Sequence, residues 1–371
     1  MTGKIVLFGA TGYTGGRTAE AMAARGLRPV LAGRDPARLA RLAERLGGFD
    51  TARADVTDAA SVRALVERGD VLVTTVGPFA QLGGAALAAA VDAGAIYLDS
   101  TGEPPFVREV FELQGPAAER SGAALLTAFG NDYVPGVLAG ALALRAAGRT
   151  GGIPARVDVG YFITGGGKGQ PFSRGTLESL IGVATRSVYA FRDGALRTEP
   201  AGARMRTFDV NGRSLPGVTI GATEQFALPR LAPGLRTVDV YLGWFGPASG
   251  AVHATHRLTP LLEKVPALGA GVTGLARLVT RRASDAPSPA VLAASTSHFL
   301  AEVFDAGGTL LARTRLVAPE AYAITADLLA WGAGRAAEHG VRGTGALDPV
   351  AAFGLDELVA GAAEAGIVER P

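Results

Sequence analysis

The feature that most constrains this chain is Gly9-Ala10-Thr11-Gly12-Tyr13-Thr14-Gly15, which follows the apolar run Ile5 to Phe8 and opens a segment with helical periodicity. A strand, a glycine turn and a helix in that order form a cradle for a dinucleotide. Gly9 permits the tight turn, Gly12 lets the backbone approach a pyrophosphate, and Gly15 lets helix and strand pack closely; Thr11, Tyr13 and Thr14 complete the loop. The start of the helix then offers unpaired amide donors and a partial positive charge to the phosphates.

The pattern downstream agrees with such a turn. Short apolar runs at Lys4–Phe8, Pro29–Ala32, Thr51–Ala54, Val71–Thr75, Ala95–Leu98 and Ala123–Thr127 read as strands. Helical patterns separate them at Thr14–Arg25, Pro36–Leu46, Ala59–Arg68 and Gly84–Ala93. Strands alternating with helices predict βαβ units and a doubly wound parallel sheet of Rossmann type over residues 1–134. After Arg156 the periodicity changes. Val157, Val159, Tyr161 and Ile163 alternate with smaller or polar residues. Asp193-Gly194, Asn211-Gly212 and Asp305-Ala306-Gly307-Gly308 carry hairpin turn chemistry. Residues 135–318 therefore read as a second, α+β domain on an antiparallel sheet, with one helix at about Thr176–Ser187. From residue 319 to 371 the pattern returns to helices, Ala321–Glu338 and Leu355–Ala365.

The second strand ends at Gly33-Arg34, where an NAD site usually places a carboxylate for the ribose hydroxyls. A guanidinium fork there suits a 2′-phosphate, so NADP is the expected cofactor, with Arg38 one helical turn on as a second cation. Asp35 stands beside them, as a repulsive charge or as an anchor for Arg34; a solvated loop arginine is the alternative for Arg34 itself. Asp55-Val56 closes the third strand, in position to meet the adenine.

Composition closes other routes. The chain has 371 residues, 48% of them hydrophobic, a net charge of +2 and no basic run of five or more, which argues against a nucleic-acid partner. With no cysteine, disulfides, thiolate zinc sites and a cysteine nucleophile are excluded together. Val265–Ala276, an uncharged stretch towards the C-terminus, is far below the ~20 residues a membrane span needs. No Tyr-x-x-x-Lys occurs, so the acid pair of short-chain dehydrogenases is missing. A cytoplasmic protein without a metal is expected.

Ligands of an open α/β sheet bind outside the carboxyl ends of its strands. Three loops fall there: Val76-Gly77-Pro78-Phe79, Asp99-Ser100-Thr101-Gly102-Glu103, and Phe129-Gly130-Asn131-Asp132-Tyr133-Val134-Pro135-Gly136. Together Gly9–Gly15, Ala32-Gly33-Arg34, Val76–Phe79 and Tyr97–Glu103 resemble the saccharopine dehydrogenase-like NADP-binding family, which includes saccharopine reductases and trans-acting enoyl reductases. The similarity continues more weakly through Ser173-Arg174-Gly175-Thr176 and Pro319-Glu320-Ala321-Tyr322. The resemblance implies NADPH along Gly9–Gly15 and Arg34, with the nicotinamide over Val76–Phe79 and near Thr101-Gly102. It also implies that the C-terminal helices pack back on the first domain. The loop Asn131–Gly136 departs from both family patterns, and it borders the substrate.

Hydride transfer needs a positioned proton donor. Tyr133, Asp132 and Lys168 are the candidates. Asp132 reads equally as the cap of a helix beginning near Pro135, and Lys168 as a solvated loop lysine. Glu103 reads as a first-turn acid for a helix over Pro104–Glu112. His253 and His256 lack an acidic partner and read as packing residues. Phe162, Phe172, Tyr189, Phe191, Phe226, Trp244 and Phe245 are candidates for an apolar channel or for sheet core. The expected activity is NADPH-dependent reduction of a C=N or C=C bond in a small or carrier-bound metabolite. The rival is a non-catalytic NADP-binding sensor. A strand at Thr237–Phe245 is the candidate edge for a homodimer.

Overall fold

The computed structural model describes residues 3–166, 172, 177, 187–259 and 287–370. They fall into two compact units, Met1–Val134 with Ala321–Gly366, and Pro135–Glu320 with Ile367–Pro371. Among the described residues no helix is long and apolar enough to cross a membrane.

The first unit is built on a seven-stranded sheet. Its strands are β1 (Ile5–Phe8), β2 (Val30–Gly33), β3 (Thr51–Arg53), β4 (Val71–Thr74), β5 (Ile96–Asp99), β6 (Ala124–Leu126) and the late β15 (Gly345–Ala346). They lie in the order β15-β6-β5-β4-β1-β2-β3, and every neighbouring pair runs parallel. Strands covered on both faces need no polar side, and β1 and β4 are buried at all four positions. The strand order reverses between β1 and β4, which opens a crevice at their carboxyl ends. The helix Ala321–His339 packs on α1 (Tyr13–Ala24), β4 and β5. Its Trp331 stacks on Phe129 and meets Phe353, an aromatic group drawn from three distant segments.

Two helices differ from expectation. The segment after Ala59 stops at Arg63 rather than Arg68. The helix from Pro104 continues beyond Glu112 but changes character: Pro104–Glu109 is α-helical, Val110–Gln114 is a π-turn, and Gly115–Ser121 is α-helical again. Pro116 has no amide to continue the ladder, and a wider turn just before it takes up the mismatch.

The second unit carries a nine-stranded sheet in the order β10-β11-β12-β7-β13-β14-β16, with β8 paired to β12 and β9 to β8. These strands are β7 (Arg156–Gly165), β8 (Ser187–Arg192), β9 (Ala195–Pro200), β10 (Met205–Val210), β11 (Arg213–Ile220), β12 (Thr237–Leu242), β13 (Ser295–Phe304), β14 (Leu310–Ala318) and β16 (Val368–Arg370). The sheet is mixed rather than purely antiparallel, because β7 and β12 run parallel. Asp193-Gly194 and Asn211-Gly212 turn their hairpins with positive φ at both residues, 51° and 80°, then 53° and 74°. Two-residue loops of this mirror-image type match the strand twist.

Three expectations need correction here. The strand at Thr237–Phe245 is no free edge: β12 is paired by β11, β7 and β8 and is buried over five of its six residues, so it offers no dimer surface. The chain's last residues are not helical but form β16, which joins β14 in the second unit. Ser187, the expected end of a helix, begins β8; the rest of that helix, Leu177 aside, lies outside the described residues, as do Lys168 and Val265–Ala276.

At the centre of this sheet three carboxylates stand side by side, Asp239 of β12, Asp158 of β7 and Glu302 of β13, in register and each no more than 5% exposed. Buried charges persist only when paired. Arg206 bridges Asp158 and Glu302, Arg192 and Arg204 bond Asp239, and Arg313 Nε donates to Glu302 at 2.7 Å. Burial nonetheless dominates at Asp158 and pushes its carboxyl up to about 6.

Candidate functional site

The glycine turn is shaped by contacts that leave no room for a side chain. Gly9 has φ +87°, and a Cβ on Gly15 would stand 2.1 Å from the Gly9 carbonyl oxygen. Helix α1 begins at Tyr13 with Gly12 as its cap, no side-chain hydrogen bond at the cap and no acidic residue in the first turn. Its amide donors therefore face the crevice with no protein carboxylate among them, as a diphosphate requires. Thr11, inside the turn, accepts through its carbonyl from Arg38 Nη2 at 2.7 Å. Tyr13 packs edge-on against Tyr322, with Arg17 donating to its hydroxyl, while Thr14 accepts from Thr18 through its carbonyl.

At the tips of β2 and β3 the polar groups sort themselves out. Asp35 caps helix α2 (Pro36–Arg45) by accepting from Arg38 N at 3.0 Å, so its carboxylate has an occupation of its own. Arg34 is exposed just after Gly33, and Gly33 is the register partner of Arg53. Asp55 folds back onto Thr57, accepting from its amide at 2.9 Å and its hydroxyl at 2.8 Å. The Thr57 bonds, with further help from Arg34 and Arg53, hold its carboxyl below the usual range. Val56 beside it is half-buried. Arg53 was not singled out from the sequence; its signal is its position at a strand tip, next to the arginine that was.

The next two loops are tied together. Val76 N donates to Thr74 Oγ1, and the Gly77–Pro78 peptide is cis. Phe79 is buried with its ring 5.6 Å from that of Phe106, so its ring serves the fold of the turn. Glu103 does not cap its own helix. Pro104 and Pro105 carry no amide, Phe106 N and Val107 N donate to the Glu103 carbonyl, and its carboxylate instead accepts from Phe79 N at 2.8 Å and Ala80 N at 3.1 Å. The buried Asp99 has a similar role in the neighbouring loop, accepting from Thr101 N, Ala128 N and Thr127 Oγ1 at 2.8, 2.9 and 2.8 Å. Burial raises its carboxyl to about 6. Thr101 is itself buried and accepts from Glu103 N.

The departing loop closes on the same place. Asp132 Oδ2 would lie 2.7 Å from a Cβ on Gly102, so a side chain there would displace that carboxyl. Among the described residues, the hydrogen bond found at the Asp132 carboxyl comes from Asn131 Nδ2, at 3.0 Å, beside the helix α3 (Val134–Arg149). Burial with so little compensation pushes its carboxyl up to about 6. Tyr133 is buried, and its hydroxyl donates to the Gly102 carbonyl at 3.1 Å, which occupies the phenol proton. Of the candidate donors, Asp132 is the carboxyl that burial raises, Tyr133 has its hydroxyl on the Gly102 carbonyl, and Lys168 lies outside the described residues. Thr325, from the helix Ala321–His339, accepts from Asn131 N at 3.1 Å and covers Gly130. Nothing in the first third of the chain announces a residue so distant.

The candidate channel aromatics separate. Phe162 belongs to a core cluster with Phe208, Val210, Tyr241 and Leu300. Tyr189 packs on Phe226, both buried; Phe191 is half-buried; Phe172 stacks on Trp244 at 5.3 Å, with Phe245 half-buried beside it. His253 donates from Nδ1 to the Gly202 carbonyl and stacks on His256, and no group of three metal-binding side chains occurs among the described residues.

A parallel sheet with its order reversed at β1/β4, an uncapped helix start behind three close-packed glycines, and guanidinium groups at the neighbouring strand tip define a Rossmann-type dinucleotide-binding unit. Residues 5–126 match the family described as the saccharopine dehydrogenase NADP binding domain. Mycobacterial relatives share the same region. A trans-acting enoyl reductase of Mycobacterium ulcerans is 37% identical over 138 residues, 36% of this chain and 33% of that protein. One of Mycobacterium tuberculosis is 38% identical over 137 residues, 35% of this chain and 33% of that protein. A further Mycobacterium tuberculosis relative is 37% identical over 185 residues, 48% of this chain but 43% of its own length. The matched stretch thus spans less than half of each relative. The whole fold is shared with saccharopine dehydrogenase (L-Glu forming) of Saccharomyces cerevisiae, at a TM-score of 0.60, 16% identity and 99% coverage of both chains. It is shared also with homospermidine synthase of Legionella pneumophila, at a TM-score of 0.63, 10% identity, and coverage of 100% of this chain and 92% of that one.

Proposed function

We propose that this chain is an NADPH-dependent reductase that saturates a C=C bond conjugated to a carbonyl in a small or carrier-bound metabolite, with Asp132 as the proton donor. The observation that carries the reading is the Asp132 carboxyl, raised to about 6 and lodged against Gly102 at the carboxyl edge of the sheet. An acid with its pKa near the working pH is both protonated often enough and acidic enough to serve. The relatives named trans-acting enoyl reductases support the choice of bond.

On this reading Gly9–Gly15 holds the diphosphate, Arg34 and Arg38 hold the 2′-phosphate, and Val76–Phe79 with Thr101-Gly102 forms the wall beside the nicotinamide. Bound NADPH supplies the hydride. Hydride addition at the β-carbon leaves an enolate, its α-carbon takes the Asp132 proton, and the carboxylate regains a proton from water. Asn131 orients that carboxyl, and Glu103 and Asp99 keep the flanking loops in register.

The test is NADPH oxidation with an enoyl thioester, followed across pH in the wild type and in Asp132→Asn. The expected result is turnover that falls as pH rises through about 6, and a kcat for the variant lower by roughly 100-fold or more at unchanged NADPH affinity. Turnover of cyclic imines but of no enoyl thioester moves the assignment to C=N. Tight NADPH binding with no oxidation by either class makes the protein a sensor and ends the reductase reading.

A further inference from the structure

A second polar pocket lies in the second unit, on the sheet face that carries Phe162 and Leu300. It is open to solvent, has a small cavity of about 30 Å³, and is lined by Arg315, Arg370, Asp209, Val210, Leu300 and Val317 among others. Arg315 of β14 and Arg370 of β16 are direct register partners. Like charges opposite one another on neighbouring strands repel, and such a pair is stable when an anion sits between.

The protein supplies little of that anion. Arg315 Nε is shielded from solvent and has no acceptor among the described residues. Its nearest carboxylate, Asp209 Oδ2, stands 3.8 Å from Nη2, beyond hydrogen-bond reach. The other oxygen of Asp209 is spent on Gly212 N at 2.7 Å in the hairpin turn. Arg370 has no polar partner among the described residues. His298 at the rear of the pocket has its Nε2 2.8 Å from Thr164 Oγ1, and burial lowers its pKa, so it adds no charge. Among the described residues lining the pocket, two guanidinium groups against one carboxylate leave a single positive charge uncompensated, beside the half-buried Val317 with Val210 and Leu300 buried behind it.

We propose that this pocket binds the carboxylate of a small aliphatic acid, separately from the dinucleotide unit. The planar fork of Arg315 engages both carboxylate oxygens, Arg370 closes over them from the edge strand, and the short carbon chain lies on Val317. A carboxylate balances the charge; a free phosphate dianion would exceed it and leave Val317 uncovered.

Isothermal titration of the full chain with sodium isobutyrate, and separately with inorganic phosphate, tests this. Saturable, millimolar isobutyrate binding is expected, weakened about tenfold by Arg370→Gln and lost in Arg315→Gln, with NADPH binding unchanged in both. Arg370 is exposed on a three-residue edge strand, so its variant folds and carries the test even where Arg315→Gln does not. Failure of the wild type to bind isobutyrate, or undiminished binding by Arg370→Gln, overturns the site. Phosphate binding more tightly than isobutyrate overturns the carboxylate assignment.

Discussion

The two sheets solve opposite problems. The parallel sheet of the first unit is apolar through its centre, with Val6, Leu7, Leu72 and Val73 wholly buried, and its polar chemistry is confined to the loops at the strand ends. The mixed sheet of the second unit places Asp239, Asp158 and Glu302 abreast in its middle and answers them with arginines from other strands. One unit keeps its interior uncharged so that an exposed rim can hold a charged ligand. The other neutralises itself internally. Replacing a residue of the glycine turn should therefore affect ligand binding, and replacing one in the carboxylate row should affect folding.

The strongest test of this contrast is Gly15→Val. Its Cβ would overlap the Gly9 carbonyl at 2.1 Å, so helix α1 must withdraw from the turn and NADPH affinity should drop by more than about 100-fold in calorimetry. Near-normal affinity would mean that the turn does not hold the diphosphate. Next comes Arg206→Ala, which leaves Asp158 and Glu302 without their shared cation and should cost about 3 kcal/mol in denaturant unfolding, towards the low end for a broken buried pair because Arg206 is 29% exposed. NADPH affinity corrected for the folded fraction should not move.

Arg34→Ala sharpens the rim side. Loss of one charge-assisted contact should weaken NADPH by roughly tenfold and leave NADH almost unaffected. Equal losses would remove the 2′-phosphate from that position. The smallest effect is thermodynamic. Burial raises Asp132 to about 6, from 3.8 when unfolded. Between those values the unfolded chain releases the proton first, so this group's contribution to stability falls as pH rises from about 4 to about 6 and is level above. Asp132→Asn, which cannot ionise, should then gain on the order of 1 kcal/mol at pH 7 and nothing at pH 4, while losing activity. A variant equally less stable at both pH values would show that hydrogen bonding, not desolvation, governs this carboxyl.

What the sequence made legible follows from the same contrast. Strands buried on both faces read as unbroken apolar runs, so the boundaries of β1, β2 and β4 fall within a residue of their expected places. Asp193-Gly194 and Asn211-Gly212 read as hairpins because the backbone there needs positive φ. Side-chain destinations were harder to see. Glu103 reads as a first-turn acid of its own helix, but the amides its carboxylate accepts from lie 24 and 23 residues back. Thr325 reaches Asn131 across 194 residues of chain. The row of carboxylates gave no local signal, since each is one polar residue in an otherwise strand-like run and its partner comes from elsewhere. The central place of β12 was hidden for a related reason: alternation tells which face of a strand is buried, not how many neighbours flank it.

The helix Ala321–His339 carries one more consequence. Because Trp331 fills the space beside Phe129, and Gly332 lies where any Cβ would strike that ring at 2.5 Å, the nucleotide-binding unit is completed by residues that follow β6 only after Pro135–Glu320 of the second unit has intervened. It is not a portable cassette. A ribosome that has released only the first 134 residues has made every glycine of the cradle but none of the wall behind Phe129. The emerging cofactor site must wait, its aromatic face bare, until almost the whole chain has been synthesised.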